Sequence, residues 1–242
     1  AEDTRHSRPL LTHAGSRAEL VSFHAHSPDR ALERILRILT EGRDVALITD
    51  AGTPAISDPG VALVAEARER GFQVVTIPGP SAVAASLSVS GISGDRYLFL
   101  GFLPRKGSDR RRFLETAARS EWTVVVFEAP NRVAQLLADL SEACGPDRHA
   151  SVSRELTKVF EETRSGTLQE LSEHYAEAPI RGEVTVVIAG TGKEYVEAPP
   201  PDPAERAKTL LAEGLSRKDV AQRLAEETGI SRNTAYRLVS EL

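Results

Sequence analysis

The fold of this 242-residue chain is decided by the stretch Val45-Ala46-Leu47-Ile48-Thr49-Asp50-Ala51-Gly52-Thr53-Pro54-Ala55-Ile56-Ser57-Asp58-Pro59-Gly60. Its opening residues, Val45 to Thr49, form the short apolar run that is typical of a buried strand. The glycines and prolines that follow predict a loop. A helix is expected from Val61 to Arg70, with Gly71 at the C′ position. This order of elements predicts an α/β fold with a parallel sheet and crossover helices.

The same order of elements follows directly along the chain. Phe72 to Ile77 predicts a second strand, Pro78-Gly79-Pro80-Ser81 its loop, and Ala82 to Ser90 a helix of small residues. Since open α/β sheets bind ligands at the carboxyl ends of their strands, the two loops are expected to border one cleft. Gly52 would let a ligand approach the backbone closely. Taken singly, each loop is equally well explained as an ordinary connection with turn residues.

The second half of the chain continues the alternation with less regular spacing. Strands are expected at Tyr97–Leu100, Thr123–Phe127, His149–Val152 and Glu183–Gly190, and helices near Arg110–Arg119 and Arg132–Ala143. We therefore predict two α/β lobes, residues 1–94 and 95–197, with a cleft between them.

The chain ends in a different pattern. A proline-rich linker is expected at residues 198–203, followed by a small helical domain over residues 204–242. Its helices are predicted at Ala204–Glu213, at Arg217–Thr228 with Ser216 as N-cap, and at Arg232–Leu242. The Gly229-Ile230-Ser231 turn between the last two is typical of a helix-turn-helix.

Composition excludes several classes of protein. Apolar residues make up 40% and charged residues 27%, and no apolar run reaches the roughly 20 residues that a membrane helix needs. The single Cys144 cannot form an internal disulfide, which favours a cytoplasmic location. The net charge of −5 argues against a protein that coats nucleic acid indiscriminately. The absence of Gly-x-Gly-x-x-Gly and Walker motifs argues against nucleotide hydrolysis.

Ordered motifs run through almost the whole sequence and carry a resemblance. They are Ala1-Glu2-Asp3-Thr4-Arg5, Phe23-His24-Ala25-His26, the stretch from Asp50 to Gly60, Pro78-Gly79-Pro80-Ser81, Gly101-Phe102-Leu103-Pro104-Arg105-Lys106, Phe127-Glu128-Ala129-Pro130-Asn131-Arg132, Arg154-Glu155-Leu156-Thr157-Lys158 and Gly182-Glu183-Val184. Together they resemble the 16S ribosomal RNA 2′-O-ribose cytidine methyltransferase family, which has the tetrapyrrole methylase fold. Members of that family begin with a strand, a Gly-Pro-rich loop and a helix before Glu2. We expect these elements to be missing here, together with part of the cofactor site.

The resemblance implies a cofactor, a substrate and a set of contacts. S-adenosylmethionine is expected between the lobes, and its methyl group is expected to pass to a cytidine ribose of 16S ribosomal RNA in the small ribosomal subunit. No metal is needed for this transfer. A homodimer is also implied. The cofactor contacts are expected at Asp50, Gly52, Thr53, Pro78, Ser81, Ala82, Leu156, Ala189 and Gly190.

A ribose hydroxyl needs to lose its proton to become a good nucleophile, so a general base is expected. The candidates, unranked, are Asp3, Glu128, Glu155 and His24, with Arg5 and Lys158 as stabilisers of negative charge. Glu155 and Lys158 are equally explained as a surface ion pair. His24 and His26 would share one face of a strand, but without a further ligand nearby they favour a structural or RNA-binding role over a metal site.

Two segments are candidates for RNA contact. The basic stretch from Arg105 to Arg112 is expected to form a loop at the mouth of the cleft. Residues 216–242 carry five basic and four acidic residues, a net charge of +1, so any docking there would depend on helix-turn-helix geometry. The predicted RNA-binding residues are Arg105, Lys106, Arg110, Arg111, Arg112 and Arg232.

Two alternative functions remain open at this point. One is a methyltransferase of the same fold that acts on a tetrapyrrole or another small molecule. The other is a ligand-sensing, DNA-binding regulator, with the lobes as sensor and the tail as reader of a short palindrome. The ordered matches over nearly the whole chain favour the ribosomal RNA methyltransferase.

Overall fold

The computed structural model describes residues 1–24, 27, 29–177, 180–192, 203–212, 215–228 and 230–240. The chain divides into two compact units, Ala1–Lys193 and Glu194–Leu242. The boundary between two lobes at residues 94 and 95 stays a prediction, because it falls inside the first unit.

The N-terminal part of the first unit is built from helices. They are α1 (Thr4–His13), α2 (Asp29–Thr40), α3 (Val61–Glu69) and α4 (Ala82–Ser90). Helices α3 and α4 confirm the predictions, and Gly71 has the positive φ (81°) expected of a C′ residue. Helices α1 and α2 were not predicted. A local apolar core joins α2 and α3 through Leu36 and Leu63, with Phe23 packed beside them.

The two strands predicted in this part are not formed. Residues 45–49 and 72–77 have no regular secondary structure, and Val75 and Ile77 are 69% and 86% exposed. A strand is stabilised by a neighbour that pairs with its backbone. In the described part of residues 1–94 no segment forms such a ladder, so the apolar pattern alone did not produce strands.

All of the described strands lie in the second half of the first unit. They are β1 (Tyr97–Phe102), β2 (Thr123–Glu128), β3 (His149–Arg154), β4 (Glu162–Thr167) and β5 (Val184–Ile188), in the spatial order β1-β2-β5-β3-β4. Only the β1–β2 pair is parallel; the other three pairs are antiparallel. The expectation of a parallel sheet is therefore wrong for most of these strands. Strand β4 was missed because its sequence, Glu-Thr-Arg-Ser-Gly-Thr, carries no apolar pattern.

Helices cover both faces of this sheet. On one face lie α5 (Gly107–Arg119), α6 (Val133–Cys144) and α7 (Leu168–Glu177), and on the other lies α4. Since successive strand residues point to opposite faces, Val124 and Val126 pack with the first group while Val125 packs against α4. Burial on both faces explains why β2 and β5 are apolar almost throughout.

The second unit is a small helical domain. It consists of α8 (Pro203–Ala212), α9 (Arg217–Thr228) and α10 (Arg232–Ser240), which share a core that includes Leu210, Leu224 and Val239. The Ser216 hydroxyl accepts the Asp219 N–H at 3.3 Å, which confirms the predicted N-cap. Most of the predicted linker, residues 198–202, lies outside the described residues. No helix in the described ranges is long and apolar enough to cross a bilayer.

Candidate active site

A cavity of about 540 Å³ lies inside the first unit. Its walls come from segments that are distant in sequence: residues 50–58, the start of α4, the ends of β1 and β2, and the start of β5. Its volume is within the range of roughly 300–1,000 Å³ that is usual for small-molecule sites. Loops and strand ends thus converge on one cavity, which is open to solvent on one side.

The two loops that the sequence singled out meet at this cavity. Asp50, Gly52 and Thr53 line it together with Ser81 and Ala82, as predicted for a shared cleft. The Thr53 hydroxyl donates a hydrogen bond to the Pro80 carbonyl at 3.0 Å and ties the loops together. Pro78, also predicted as a contact, is absent from the cavity wall.

The first loop holds an unusual backbone. Ala55 and Ser57 have φ values of 68° and 60°, a region that side chains disfavour. At Gly60, φ is 140°, and a Cβ would lie 2.6 Å from Leu47 Cδ2, so a glycine is required there. Such strain persists only where the surroundings enforce it, and it is common at functional sites.

Glu128 is fully buried at the end of β2. Its Oε1 accepts the N–H of Ala129 at 2.8 Å, and its Oε2 lies 3.2 Å from Arg132 Nη2. Arg132 Nη2 also donates to the Leu103 carbonyl at 3.0 Å. Glu128 lines the cavity as predicted, but its carboxylate is directed to its own loop and to an arginine.

Ala189 and Gly190 are far from the cavity along the sheet. Val184, at the start of β5, pairs with Glu128, whereas Ile188, at its end, pairs with Val124. Because β5 runs antiparallel to β2, its carboxyl end lies at the opposite edge of the sheet. The family resemblance implied cofactor contacts at these two residues, but neither of them lines the cavity.

The motif from Arg154 to Lys158 begins the turn between β3 and β4. Glu155 Oε1 accepts hydrogen bonds from Lys158 Nζ at 3.0 Å and from the Glu183 N–H at 3.1 Å. These bonds lower the pKa of Glu155, which makes it a weak base. Neither Glu155, Lys158 nor Leu156 forms the cavity wall, although Glu183 does. The turn therefore supports the wall from behind.

Asp3 and Arg5 belong to the start of α1. The Asp3 carboxylate accepts the Arg5 N–H at 2.7 Å as an N-cap, and the Arg5 guanidinium holds the pKa of Asp3 well below its usual range. Both lie off the cavity wall, and the Arg5 side chain is 89% exposed. Asp3 still contributes indirectly, because its N–H donates to Asp50 Oδ1 at 3.4 Å. His24 is exposed, and His26 lies outside the described residues.

Sequence reasoning missed Asp58 as a functional candidate. It lines the cavity, is half-buried, and has a raised pKa, because burial and the nearby carboxylates Glu2, Glu183 and Asp50 disfavour its charged form. Asp58 stands inside the segment from Val45 to Gly60 that the sequence singled out. Nothing in its spacing, however, distinguishes a carboxylate turned into the cavity from one in solvent.

Comparison with known proteins agrees with this architecture. The sequence profile of the tetrapyrrole (corrin/porphyrin) methylase family matches residues 1–172. Ribosomal RNA small subunit methyltransferase I of Mesorhizobium japonicum is 42% identical over 242 residues, covering 100% of this chain and 81% of that protein. The protein of the same name from Xylella fastidiosa (strain Temecula1) is 43% identical over 238 residues, covering 98% of this chain and 86% of that protein. The chain belongs to the ribosomal RNA small subunit methyltransferase I family of tetrapyrrole methylases.

Solved tetrapyrrole methylases share this fold. A cobalt precorrin-4 methyltransferase superposes with a TM-score of 0.56 at 16% identity, covering 73% of this chain and 77% of that one. The uroporphyrin-III C-methyltransferase of Thermus thermophilus, solved with S-adenosyl homocysteine, superposes with a TM-score of 0.52 at 18% identity. The match covers 73% of this chain and 78% of that one. The expectation of the tetrapyrrole methylase fold is confirmed.

The cavity of this tetrapyrrole methylase is strongly acidic. Among the described residues, no lysine or arginine lines it, whereas five acidic residues do: Glu2, Asp50, Asp58, Glu128 and Glu183. Phe102 and Phe127 add an apolar wall, with ring centroids 5.6 Å apart. Such a lining favours a cationic ligand with apolar parts. Within the described residues no three acidic, histidine or cysteine side chains are arranged to hold a metal ion.

The basic stretch of this methylase is divided between a short connection, with Arg105 and Lys106, and the first turns of a helix. Helix α5 begins at Gly107, so Arg111 and Arg112 lie in its first turns, exposed together with Arg105 and Lys106. Arg110 differs from them, since it is 8% exposed. Its guanidinium lies 2.6 Å from Asp139 Oδ2 and donates to the Pro104 carbonyl at 3.0 Å. Predicting Arg110 as an RNA contact was therefore wrong; it anchors α5 to α6.

Proposed function

We propose that this protein transfers a methyl group from S-adenosylmethionine to the ribosomal RNA of the small ribosomal subunit. The observation that carries the proposal is identity of about 40% over the whole chain to relatives named for that activity. The acidic cavity supports it independently. The finer part of the proposal, taken from the resemblance of the sequence motifs, is that the acceptor is the 2′-hydroxyl of a cytidine ribose.

The cavity residues fit the cofactor. S-adenosylmethionine carries a sulfonium and an ammonium group, and five acidic residues line the cavity. When bound, it supplies an electrophilic methyl group. Gly52, Ser81 and Ala82 leave room for close backbone approach, and Asp50 offers carboxylate oxygens to hydroxyl or ammonium donors. Loss of the sulfonium charge on methyl transfer weakens the attraction to these carboxylates, which favours product release.

The exposed basic residues around the start of α5 are proposed as an RNA contact. Arg105 and Lys106 follow Phe102, which lines the cavity, by only a few residues. A chain with a net charge of −5 needs a local basic surface to approach phosphates. We place Arg105, Lys106, Arg111 and Arg112 in this surface, which we call the α5 basic surface. Arg232 at the start of α10 is proposed as a second contact, by analogy with other helix-turn-helix domains.

The test is transfer of a tritiated methyl group to small ribosomal subunits from a strain that lacks the enzyme. We expect label in RNA with the wild-type protein and at least a tenfold loss at 150 mM salt when Arg105, Lys106, Arg111 and Arg112 are replaced by alanine. Replacing Arg68 and Arg119, which are exposed arginines outside the α5 basic surface, is the matched control. Full activity of the quadruple variant would contradict the role of the α5 basic surface.

The small-molecule alternative makes a different prediction. A tetrapyrrole methyltransferase would label a free macrocycle and would not depend on the α5 basic surface. The names of the full-length relatives do not favour it.

Homodimerisation and a cytoplasmic location complete the proposal. Both rest on the family rather than on a contact in the molecule, and the cytoplasmic location follows from a ribosomal substrate. Light scattering at micromolar concentration is expected to give twice the chain mass of 26.2 kDa. A mass of one chain would contradict the dimer.

A further inference from the structure

Asp58 occupies a distinctive position among the carboxylates of the cavity. It stands between strained Ser57 and the start of α3, half-buried and on the cavity wall. The Thr49 hydroxyl, which is close to Asp58, donates to Glu2 Oε2 at 3.1 Å. Because its single proton is directed to Glu2, Asp58 is left with capacity to accept a proton.

The other carboxylates on the wall are engaged elsewhere. Glu128 Oε1 accepts the Ala129 N–H, and Oε2, which accepts no hydrogen bond among the described residues, is held by the charge of Arg132 at 3.2 Å. Asp50 accepts the Asp3 N–H and lies 3.4 Å from His6 Nδ1.

The remaining two wall carboxylates are engaged as well. Glu183 Oε2 lies 3.0 Å from Lys158 Nζ, and Glu2 accepts the Thr49 hydroxyl. The groups that face Asp58 are acidic or neutral: Glu2, Asp50, Glu183 and Thr49. No basic side chain among them stabilises its charged form.

We propose that Asp58 is the general base of the methyl transfer. This inference rests on the proposed function, in which a ribose hydroxyl is the acceptor. The hydroxyl proton passes to an Asp58 carboxylate oxygen while the ribose oxygen forms its bond to the methyl carbon. The bond between methyl and sulfur breaks, and its electron pair stays on sulfur. Asp58 later returns the proton to water. Thr49 is a positioning residue beside the carboxylate, and the negative charge of Glu2 raises its basicity.

The sign of the pH dependence follows from this role. A general base works in its charged form, so the rate rises with pH through the pKa of Asp58 and then levels off. Burial and three facing carboxylates raise that pKa, which moves the rise toward neutral pH. Replacing Glu2 by Gln removes one facing negative charge and is expected to shift the rise to lower pH.

The experiment measures single-turnover methyl transfer to small subunits between pH 5 and 9 for wild type, Asp58→Asn, Asp58→Glu and Glu2→Gln. We expect Asp58→Asn to lower the rate roughly 10²–10⁴-fold and to abolish the rise with pH, with Asp58→Glu restoring part of both. Donor affinity is measured by calorimetry for each variant, and the single-turnover rates are compared at saturating donor, so that weaker donor binding is separated from a slower methyl transfer. The exposed carboxylate Asp44, which precedes the segment leading into this loop, provides the matched control Asp44→Asn.

A second readout needs no turnover. In ¹³C spectra of the protein without substrate, the carboxyl signal lost in Asp58→Asn is expected to titrate above the ordinary aspartate range in wild type. A normal or lowered pKa would overturn the proposal. If the Asn variant does not fold, the signal is assigned by its loss in Asp58→Glu instead. Equal rates and pH profiles for wild type and Asp58→Asn would also overturn it. Absence of RNA label with wild type would instead contradict the proposed function itself.

Discussion

Gly182 sits where the turn between β3 and β4 meets the cavity wall. Its φ is 84°, and a Cβ there would overlap the carboxylate of Glu155. Glu155 in turn holds Lys158 and the Glu183 backbone in place. Because Gly182 has no side chain, the Glu155 carboxylate can occupy this space and hold Glu183 in the cavity wall.

The close approach of Glu155 to Gly182 gives a prediction at the residue scale. Gly182→Ala is expected to lower the free energy of unfolding by about 1–3 kcal/mol, through backbone strain and displacement of Glu155. Gly71→Ala is the matched control, since Gly71 has a φ of 81° but no atom within 4 Å of an added Cβ. Urea denaturation measures both; equal losses would show that only backbone conformation matters at Gly182.

Arg110 and Arg111 are neighbours with different expected roles: Arg110 is buried and structural, and Arg111 is exposed and proposed to contact RNA. Arg110→Ala is expected to cost about 1–3 kcal/mol of stability, because Asp139 and the Pro104 carbonyl lose their partner. Arg111→Ala is expected to change stability by less than about 0.5 kcal/mol and to weaken binding to RNA. Thermal unfolding and filter binding test the pair. An unstable Arg111 variant, or an Arg110 variant that is fully stable, would contradict the assignment.

At the scale of elements, the turn between β3 and β4 responds to pH. The pKa of Glu155 is lowered in the folded state, from an ordinary value of 4.5, by Lys158 and the Glu183 N–H. Its stabilising contribution is therefore present above about pH 4.5 and is lost as the pH falls through the folded pKa. Glu155→Gln is expected to flatten the dependence of stability on pH in this acidic window. Denaturation series at pH 3 to 6 check it, and unchanged slopes would argue against this ion pair.

Elements also show what the sequence could predict. Helices α3 and α4 and strands β1, β2, β3 and β5 were expected because their apolar periodicity is strong. Residues 45–49 carry the same kind of pattern, yet they form no strand in the absence of a described partner. Strand formation depends on pairing with segments that are distant in sequence, and a local apolar pattern carries no information about such partners. The antiparallel direction of β5 could not be predicted for the same reason. The position of Ala189, which follows the end of β5, could therefore not be predicted either.

The site was predicted in part, for a related reason. Loop residues such as Asp50 and Ser81 were identified because strand–loop–helix order places them at one edge. Asp58 and Glu183 were overlooked, because their role depends on burial and on each other's charge. Such properties arise only when the chain has folded.

At the scale of the whole molecule, the two compact units have separate apolar cores. Leu224→Ala removes a fully buried side chain from the C-terminal core and is expected to destabilise that unit by about 2–5 kcal/mol. Binding of S-adenosylmethionine is expected to stay unchanged, since the cavity lies in the first unit. Calorimetry measures donor affinity and circular dichroism measures helix loss. Weaker donor binding would show that the C-terminal unit supports the cavity.

The chemical identity of the methylated nucleoside tests the proposed function most directly. Small subunits from a strain lacking the enzyme are incubated with the protein and labelled S-adenosylmethionine, and the 16S ribosomal RNA is then digested to nucleosides for mass spectrometry. We predict that 2′-O-methylcytidine carries the label, with one methyl group per RNA. Label on a base, or no label in RNA while the donor still binds, would contradict it and would indicate a methyltransferase with another acceptor.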